Sequence, residues 1–567
     1  MTIKHNSRDI KYKDPYGAVP CLSRVRLSFE FYNCTKQEVD AKNTLTLRWE
    51  AEYNCENMYI SPTSVTYIGE NESSCYLVTY TIEPEVLNRP GTYFYSLPDF
   101  EPRQLTVYRQ DLDVPEWFLN SVIYQIFPDR FCRGEGPCEY KKDSFMYATW
   151  QDTPMYIRDE KNDVIRWDFY GGNLWGVCQK LEYIKSLGAN IIYLNPIFKS
   201  ISNHRYDTCD YTQIDGLLGG EEAFSHLLEE AGKLDIGIML DGVFSHTGND
   251  SIYFDMFNKY GNGAYHNIDS PYRNWYRFKE DGSYECWWDI PAVPNVNELE
   301  PSYLDYIVKN DNSVIKTRGR QGICGWRLDV ADELPGDFLR ELRKACCDNQ
   351  VILGEVWEDG SNKVSYGARR TYFTEKELHT VTNYVFHDNL LKFLQGEITS
   401  YELTEVFESL KENLPRHNFY ALVNMTGTHD IVRLATVCGE VDMVKAFSLV
   451  QFTFPGVPLI YYGDETLLEG ELDPDNRRPM PWHDLNEDSI KWFATLSKLR
   501  KSDPCYTKGQ ITFIDMNDSD VFAYKREYNG KEKIVVVDRK HRGIEYFDKK
   551  VYSVVEKVNN WALLLEN

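Results

Sequence analysis

A long run of alternating strand and helix signals is the feature that most restricts how this chain can fold. From Ser121 onward, short apolar runs such as SVIYQIF, NIIYLNP and GIMLDGVF are followed by amphipathic stretches. In LWGVCQKLEYIKSLG, for example, Leu174, Leu181 and Ile184 fall on one helical face. Five further apolar runs follow: ICGWRLDV, VILGEVW, TVTNYVF, ALVNMTG and GVPLIYYG. Eight strand-then-helix units predict a (β/α)8 TIM barrel, an α/β fold, rather than an open doubly wound sheet.

Segments of a different character flank this region. Residues 1–110 contain VRLSFEFY, TLTLRWEAEY, CYLVTYTI and GTYFYSL, whose alternation predicts an N-terminal antiparallel β-sandwich. Residues 503–567 return to short β patterns and predict a C-terminal antiparallel β domain. Within the predicted barrel, residues 111–502, about 75 residues separate FSH from the strand at Ile323. That is too many for an ordinary loop, so we expect a small inserted lobe after strand 3, at about 247–300.

Composition restricts which binding partners and which cellular compartment we expect for this chain. A net charge of −25 and a pI near 5.0 would repel nucleic acids and anionic membrane surfaces, so neither is an expected partner. No apolar window of the sequence is long enough for a signal-peptide core or a membrane span, which predicts a cytoplasmic protein. The fourteen cysteines include no C-x-x-C pair, which indicates reduced thiols rather than a zinc site or a disulfide framework.

Ionisable residues stand at the C-terminal ends of the predicted strands, where barrel active sites lie. Because side chains alternate along a strand, Arg327 and Asp329 of ICGWRLDV face the same side, as do Glu355 and Trp357 of VILGEVW. We expect the guanidinium to lower the pKa of Asp329, as suits a nucleophile. The apolar neighbours of Glu355 are expected to raise its pKa, as suits a general acid. Glycosidic bond cleavage needs two carboxyls with such divided roles.

Two further strand ends supply polar residues of the same kind. GIMLDGVFSH provides Asp241 and His246, and ALVNMTGTHD provides His429 and Asp430. Imidazoles can hydrogen-bond the hydroxyls of one sugar ring, and a carboxylate can bind adjacent hydroxyls and hold them more tightly as charge develops. These residues are therefore candidates for holding a sugar.

Each of these signals also has a structural explanation. A lone Asp after a strand is often a helix N-cap, a lone His is often a core residue, and Arg327 with Asp329 could be a structural ion pair. The coincidence of such residues on separate strands favours a functional site. Asp332 and Glu333 follow the strand, where helix capping and first-turn charge explain them without catalysis.

The motifs DGVFSH, GWRLDVADE, GEVW and NMTGTHD occur in the order found in the α-amylase family of retaining glycoside hydrolases, which the chain resembles over nearly its whole length. GGNLWGV, SNHRYDTCDY, VPNVN and DPDNRRPMPW add to the resemblance. VPNVN and GEVW are similar to the variants in the neopullulanase, cyclomaltodextrinase and maltogenic amylase subgroup. By this resemblance Asp329 is the nucleophile, Glu355 is the acid/base and Asp430 stabilises the transition state.

The resemblance also implies a set of substrate-binding residues around the three carboxyls. In it, Arg327, His246 and His429 line the site of the attacked glucose, and Asp241 orients Arg327. Tyr206 stacks under the ring of this glucose, with His204 nearby. Asp473 and Arg477 contact the next sugar towards the non-reducing end, and Trp357 lies on the leaving-group side.

The implied activity is hydrolysis of α-1,4 bonds, with α-1,6 bonds as a further candidate, in maltooligosaccharides, cyclodextrins or pullulan through a covalent glucosyl-enzyme. A 4-α-glucanotransferase or sugar isomerase would share that intermediate and differ in what intercepts it. A non-catalytic glycan-binding relative would lack one or more of the three carboxylates, all of which are present here. The subgroup resemblance further implies a homodimer formed through the N-terminal domain.

No cofactor is expected to be required, and no metal ligand is assigned. Ser245 stands where the family usually has a calcium-binding Asn, and a hydroxyl is a poorer calcium ligand. Near the first barrel strand, where the subgroup has another calcium site, this chain places Arg133, Glu135 and Asn173. Calcium is therefore not expected to be needed.

Overall fold

Eight parallel strands form the central sheet of the larger of two units in the computed structural model, which describes residues 1–69, 74–141, 144–160, 164–542 and 553–566. We number them β1 Ile123–Ile126, β2 Ile191–Leu194, β3 Gly237–Gly242, β4 Gly325–Leu328, β5 Val351–Gly354, β6 Thr380–Val381, β7 Val423–Met425 and β8 Val457–Tyr461. Each pairs with its neighbours in chain order from β1 to β6, and β8 pairs with both β1 and β7. A parallel bridge between Thr382 and Val423 closes the ring, which confirms the predicted barrel.

Helices follow most of the strands, as the sequence predicts. They span Leu174–Gln179 and Leu181–Ser186, Gly220–Lys233, Pro301–Leu304 and Val314–Arg320, Gly336–Ala345, Tyr384–Gln395 and Ser400–Asn413, Leu434–Cys438 and Val441–Thr453, and Glu487–Ser502. Their apolar faces pack against strands whose own residues are almost all buried.

The prediction of a helix after every strand is wrong for β5. Residues 355–379, all described, contain no helix and instead form a two-residue hairpin, Val364–Ser365 with Ala368–Arg369. Tyr366 and Gly367 at its turn both have positive φ, as such tight turns require. The segment EDGSNKVSYGARR carries no apolar repeat of helical period, so only the barrel analogy suggested a helix there.

The smaller unit contains residues 1–114, 358–379 and 405–419. One antiparallel sheet contains Thr2–Lys4, Lys13–Asp14, Val25–Tyr32, Cys75–Ile82 and Ser64–Tyr67, and the other contains Val19–Pro20, Phe100–Tyr108, Gly91–Leu97, Leu45–Ala51 and Asn54–Ile60. Alternate residues of both sheets, such as Phe29 and Tyr95, are buried in one shared core. The predicted β-sandwich is confirmed, and three of its four predicted strands have the bounds that the sequence suggested.

Two further regions complete the larger unit. Gln510–Ile514, Val521–Tyr528, Lys531–Asp538, Ser553–Val558 and Ala562–Glu566 form an antiparallel sheet, which confirms the C-terminal β region; residues 543–552 and 567 of it lie outside the described residues. Between β3 and Pro301, where the lobe was expected, the chain forms only isolated bridges and the short 3-10 helices Arg273–Trp275 and Trp287–Asp289. All fourteen cysteines are free thiols. Among the helices that the structure describes, none combines the length and the apolar character needed to cross a bilayer.

Candidate active site

The candidate residues meet at the C-terminal ends of the barrel strands, on one side of the sheet. Asp241 of β3 and Arg327 of β4 are register partners, and Asp329 and Glu355 directly follow β4 and β5. All four side chains are buried. Consecutive parallel strands thus bring together groups that are far apart in the sequence.

The guanidinium of Arg327 is the centre of this cluster. Its Nη1 donates to Asp241 Oδ1 at 2.9 Å and to Asp329 Oδ1 at 2.8 Å, and its Nη2 lies 2.8 Å from Glu355 Oε2. Three carboxyls therefore share one cation, and the guanidinium fork fixes their positions relative to one another.

Burial changes the protonation of these carboxyls more than Arg327 does. It raises the pKa of Asp329 well above its usual range, with Arg327 opposing and Glu355 and Asp241 adding to the rise. Arg327 acts on this pKa in the predicted direction, but the prediction of a lowered pKa for Asp329 is wrong, because one guanidinium does not offset burial and two further carboxyls. Burial likewise raises the pKa of Glu355, in the predicted direction. The three carboxyls titrate together, and the excess negative charge favours retention of a proton among them.

The backbone after Asp329 is strained. Val330 has φ 35° and ψ 64°, in the left-handed region that β-branched residues avoid. Its N–H donates to Glu355 Oε2 at 2.9 Å, and the peptide N–H of Ala331 donates to the carbonyl of Glu355 at 3.1 Å. These bonds tie the end of β4 to the end of β5 and hold the two carboxyls beside each other.

The parallel rings of Tyr206 and His429 lie beside the carboxyls. The hydroxyl of Tyr206 donates to Asp241 Oδ2 at 2.8 Å, and its ring lies parallel to that of His429 with centroids 5.2 Å apart. Gln125 Nε2 and Asn195 Nδ2 lie 3.2 and 3.1 Å from His429 Nδ1, so Nδ1 accepts and Nε2 carries the proton. Burial lowers the pKa of His429 well below its usual range and keeps the ring neutral.

The other two histidines bond chiefly to the protein around Tyr206. His246 Nε2 lies 3.1 Å from the carbonyl oxygen of Tyr206, and its Nδ1 lies 3.1 Å from Ser245 Oγ. His204 Nδ1 accepts from the backbone N–H of Tyr206 at 3.0 Å, which leaves Nε2 as its N–H donor. Burial lowers the pKa of His246 to about 4 and that of His204 to about 3. Both neutral rings therefore fix Tyr206, and the predicted sugar contact of His246 stays a prediction.

The third catalytic candidate lies at the open side of the cluster. Asp430 follows β7, and its side chain is 31% exposed. Its Oδ2 lies 3.3 Å from His429 Nε2 and its Oδ1 lies 3.3 Å from Arg477 Nη2. Arg477 in turn binds Asp473 Oδ1 at 2.9 Å through Nη1. These contacts connect the motif DPDNRR to the strand-end cluster.

Trp357 lies beside Glu355, and a hydrogen bond from its side chain acts to lower the pKa of that carboxyl, against the larger effect of burial. Its ring stacks on Tyr384 with centroids 4.1 Å apart and an interplanar angle of 8°, and 43% of its surface is exposed. An exposed, rigidly supported indole two residues after Glu355 is suited to contact a sugar face on the Glu355 side.

Comparison with known proteins assigns the family. The alpha-amylase catalytic domain family matches residues 125–526. The chain belongs to the alpha-amylase family. It is 36% identical to an amylopullulanase of Thermoanaerobacter thermohydrosulfuricus, over 94% of this chain and 41% of that protein. It is 32% identical to neopullulanase 2 of Thermoactinomyces vulgaris, over 75% of this chain and 71% of that protein.

A solved structure supports the same assignment. The cyclic alpha-maltosyl-(1→6)-maltose hydrolase of Arthrobacter globiformis matches with a TM-score of 0.67 and 27% identity, over 80% of this chain and all of that one. The chain spans less than half the length of the amylopullulanases that it matches, between 32 and 47%.

The sequence pattern missed several residues of this alpha-amylase site. Tyr193 donates to Asp241 Oδ2 at 2.6 Å, and Gln125 and Asn195 set the His429 tautomer. All three lie at the C-terminal ends of β1 and β2. The expectation that functional side chains stand at strand ends, which we applied to the acidic residues, would have identified these polar residues too. The contact of Tyr156 with Asp473, across 317 residues, had no comparable sequence signal.

The oxygens at the two places where the alpha-amylase family suggests calcium already form hydrogen bonds within the protein. Near β1, Arg133 Nε donates to the Tyr170 carbonyl at 3.1 Å, and Asn173 Oδ1 accepts from the N–H groups of Gly134 and Gly176 at 3.1 and 2.8 Å. Ser245 Oγ lies 3.1 Å from His246 Nδ1. Calcium prefers six to eight oxygen ligands, so neither place fits it. In the part of the chain that is described, no three His, Cys, Asp or Glu side chains are grouped to hold a metal.

Proposed function

We propose that the chain is a retaining α-glucan hydrolase that forms a covalent glucosyl-enzyme on Asp329. The observation that carries the proposal is the placement of Asp329 and Glu355 on adjacent strand ends, bound to the two terminal nitrogens of Arg327. Cleavage of a glycosidic bond with retention needs one ionised and one protonated carboxyl at neighbouring positions. A cluster that keeps one proton among its carboxyls meets this requirement.

In the first step, a carboxylate oxygen of Asp329 attacks the anomeric carbon while Glu355 gives its proton to the glycosidic oxygen. The bond from C1 to that oxygen breaks, the shortened glucan leaves as an alcohol, and a β-glucosyl ester forms on Asp329. Arg327 holds the attacking carboxylate in place. The guanidinium is itself fixed from the other side by Asp241, whose carboxylate also accepts hydrogen bonds from the hydroxyls of Tyr193 and Tyr206. Glu355 ends this step ionised.

In the second step, Glu355 takes a proton from water as the water oxygen attacks the anomeric carbon, and the bond from C1 to the Asp329 oxygen breaks. The sugar leaves with its original α configuration, and both carboxyls return to their starting states. His429 presents Nε2–H beside Asp430, so this pair can hold adjacent hydroxyls of the ring as positive charge develops on it.

The aromatic rings of the site, the negative charge of the chain and the relatives together indicate the substrate class. Tyr206 and Trp357 offer flat apolar faces that suit pyranose rings, whereas the net charge of −25 disfavours anionic ligands. Relatives carry the names amylopullulanase, neopullulanase and cyclomaltodextrinase. We therefore propose α-1,4-linked maltooligosaccharides, with α-1,6 bonds, pullulan and cyclodextrins as further candidates.

Replacement of each carboxyl by an amide tests the mechanism, with turnover of maltoheptaose and of α-glucosyl fluoride as the measurement. Asp329→Asn should abolish turnover of both substrates, because neither can form the ester. Glu355→Gln should lower kcat for maltoheptaose by on the order of 10²- to 10⁴-fold, the usual contribution of a general acid. The same variant should lose less activity on the fluoride, because fluoride leaves without a proton.

Asp332→Asn is the matched control, because it makes the same exchange three residues after Asp329 in the 3-10 turn Ala331–Glu333. It should retain turnover, and a shift of its pH-rate profile would show that the Asp332 charge acts on Asp329. Near-wild-type hydrolysis of maltoheptaose by Asp329→Asn or Glu355→Gln, or a first-formed product of β configuration, would overturn the mechanism.

Several accessory proposals accompany this function. Fourteen free thiols suit a reducing cytoplasm, and the donor set argues for activity without calcium or another cofactor. The negative charge argues against nucleic-acid and anionic-membrane partners. We keep the division into residues 1–110, 111–502 and 503–567 as the proposed domain boundaries, and a homodimer through the N-terminal domain as the proposed assembly.

A further inference from the structure

Tyr156 and Trp167, from the segment between β1 and its first helix, reach the candidate site on the side of Asp473. The hydroxyl of Tyr156 donates to Asp473 Oδ1 at 2.7 Å, and Arg477 Nη1 lies 3.4 Å from the same hydroxyl. The phenol therefore occupies the position that a sugar hydroxyl would take between these two charged groups.

The polar groups on this side are already paired within the protein. Arg477 binds Asp473 through Nη1 at 2.9 Å and Asp430 through Nη2 at 3.3 Å, and its Nε donates to the carbonyl of His429 at 3.0 Å. A sugar bound here would have to displace Tyr156 from Asp473 and replace its hydrogen bond. Such an exchange gains little, because each new hydrogen bond is offset by one that is lost.

A row of aromatic rings extends from Tyr156 to Tyr206 on the same side of the site. The ring of Trp167 meets Tyr156 edge to face with centroids 5.5 Å apart, and meets His204 edge to face at 4.7 Å. His204 in turn stacks on Tyr206 at 5.9 Å. Tyr156, Trp167, His204 and Tyr206 form one continuous row, which we call the aromatic wall.

The proposed mechanism defines two ends of the bound glucose. The leaving group lies beside Glu355, which gives it a proton, and C4 is at the opposite end of the same glucose ring. Asp473 connects to the cluster through Arg477 and Asp430, the residue assigned above to the ring hydroxyls, and Tyr156 and Trp167 connect through Asp473 and His204. The position of this wall at the C4 end is part of our proposal.

We propose that Tyr156 and Trp167 close the site behind a single glucose, so that the protein removes one glucose at a time from the non-reducing end of linear α-glucans. The inference rests on the proposed hydrolase function and narrows its substrate. A ring whose O4 carries another sugar cannot sit against the wall. Cyclodextrins, in which every O4 is substituted, are then poor substrates.

Maltopentaose labelled at its reducing end, with β-cyclodextrin in parallel, tests this specificity. The first products of the wild type should be glucose and labelled maltotetraose, and kcat/KM for the linear substrate should exceed that for the ring by at least about tenfold. Tyr156→Ala and Trp167→Ala should release maltose as well and should narrow the difference between linear and cyclic substrates. Met155→Ala, an exchange of the exposed neighbour of Tyr156, should leave the product pattern unchanged.

The outcomes separate the two proposals. Hydrolysis that begins with maltose or a longer product, or efficient opening of the ring by the wild type, overturns the closed site and leaves the hydrolase function intact. A wild type that hydrolyses neither substrate contradicts the function itself. The wild-type products decide the matter even if an alanine variant fails to fold.

Discussion

Glu465 is a buried acid outside the catalytic cluster, just after β8. Its Oε1 accepts from the hydroxyls of Tyr124 at 2.6 Å and Tyr183 at 2.8 Å, and its Oε2 accepts from the N–H of Gly463 at 2.8 Å. Burial raises its pKa from 4.5 to about 7, against the effect of these donors, and nearby Asp464 adds to the rise.

This shift makes stability depend on pH in a defined direction. Between pH 4.5 and about 7 the folded protein keeps a proton on Glu465 that the unfolded chain has released. The free energy of unfolding should therefore fall as pH rises through that window, by about 1.4 kcal/mol per pH unit from this one group, and level off above it. Glu465→Gln should remove that slope and add a constant loss from the missing acceptor for Gly463.

Calorimetric unfolding midpoints between pH 5.5 and 8 give the measurement. The gap between wild type and Glu465→Gln should change across pH 5.5 to 7, whereas the exposed control Glu471→Gln should run parallel to the wild type. Parallel curves for both variants would show that Glu465 is ionised throughout this range.

Sequence reasoning at the level of single residues identified which groups meet but not their charge states. Strand alternation placed Arg327 with Asp329 because the two-residue period is local. The pKa of Asp329 instead depends on Glu355 and Asp241, which come from other strands, and on burial that only the closed barrel creates. The contact of Tyr156 with Asp473 could not be predicted for the same reason.

At the scale of elements, the first βα connection is held by side chains where a cation could otherwise serve. Asn173 caps the helix Leu174–Gln179 and also binds both backbone groups of Gly134. A Cβ on Gly176 would lie 2.0 Å from the carbonyl oxygen of Cys132, so the two segments touch backbone to backbone. Arg133 fixes the other end of the contact at the Tyr170 carbonyl.

We call these contacts of Asn173, Gly176 and Arg133 the clamp. They predict that calcium changes neither the stability nor the activity of the protein. The unfolding midpoint and activity should be the same after EDTA dialysis as with millimolar calcium, because the oxygens already have protein donors. Arg133→Ala should lose about 1.5 to 3 kcal/mol of stability, the usual effect of removing hydrogen bonds from a charged group. Added calcium should not restore it, and Arg24→Ala, at an arginine whose ion pair with Glu83 is exposed, is the control. Stabilisation of the wild type by calcium would contradict the clamp.

Elements were predictable where the pattern is local and strong. The strands Val25–Tyr32, Cys75–Ile82 and Gly91–Leu97 have the predicted bounds because each alternates between the sandwich core and the outside. The segment after β5 was not predictable, because the barrel repeat suggests a helix that its Gly- and Ser-rich sequence does not support. Barrel closure likewise rests on a single bridge, Thr382 to Val423, that carries no sequence pattern.

At the scale of the whole molecule, the N-terminal sandwich exposes apolar rings on its sheet edges. Asn54–Ile60 and Ser64–Tyr67 each end the strand order of their sheet, and they expose Tyr59 and Tyr67 at 69 and 58%. Tyr53, beside the first of these strands, is 78% exposed. Edge strands with exposed apolar side chains favour association with another chain, unlike the charged edges that keep proteins monomeric.

The proposed homodimer places a second copy on these edges. Sedimentation at micromolar concentration should give a mass near twice 66.3 kDa for the wild type. Tyr59→Lys combined with Tyr67→Lys should shift the equilibrium towards the monomer, because one added lysine on each edge strand would repel those of the partner and would have to be desolvated on contact. Tyr140→Lys, at a ring that is 75% exposed in the larger unit, should leave the mass unchanged. A monomeric wild type would refute the dimer, and a dimer that survives the double exchange would move the interface away from these edges.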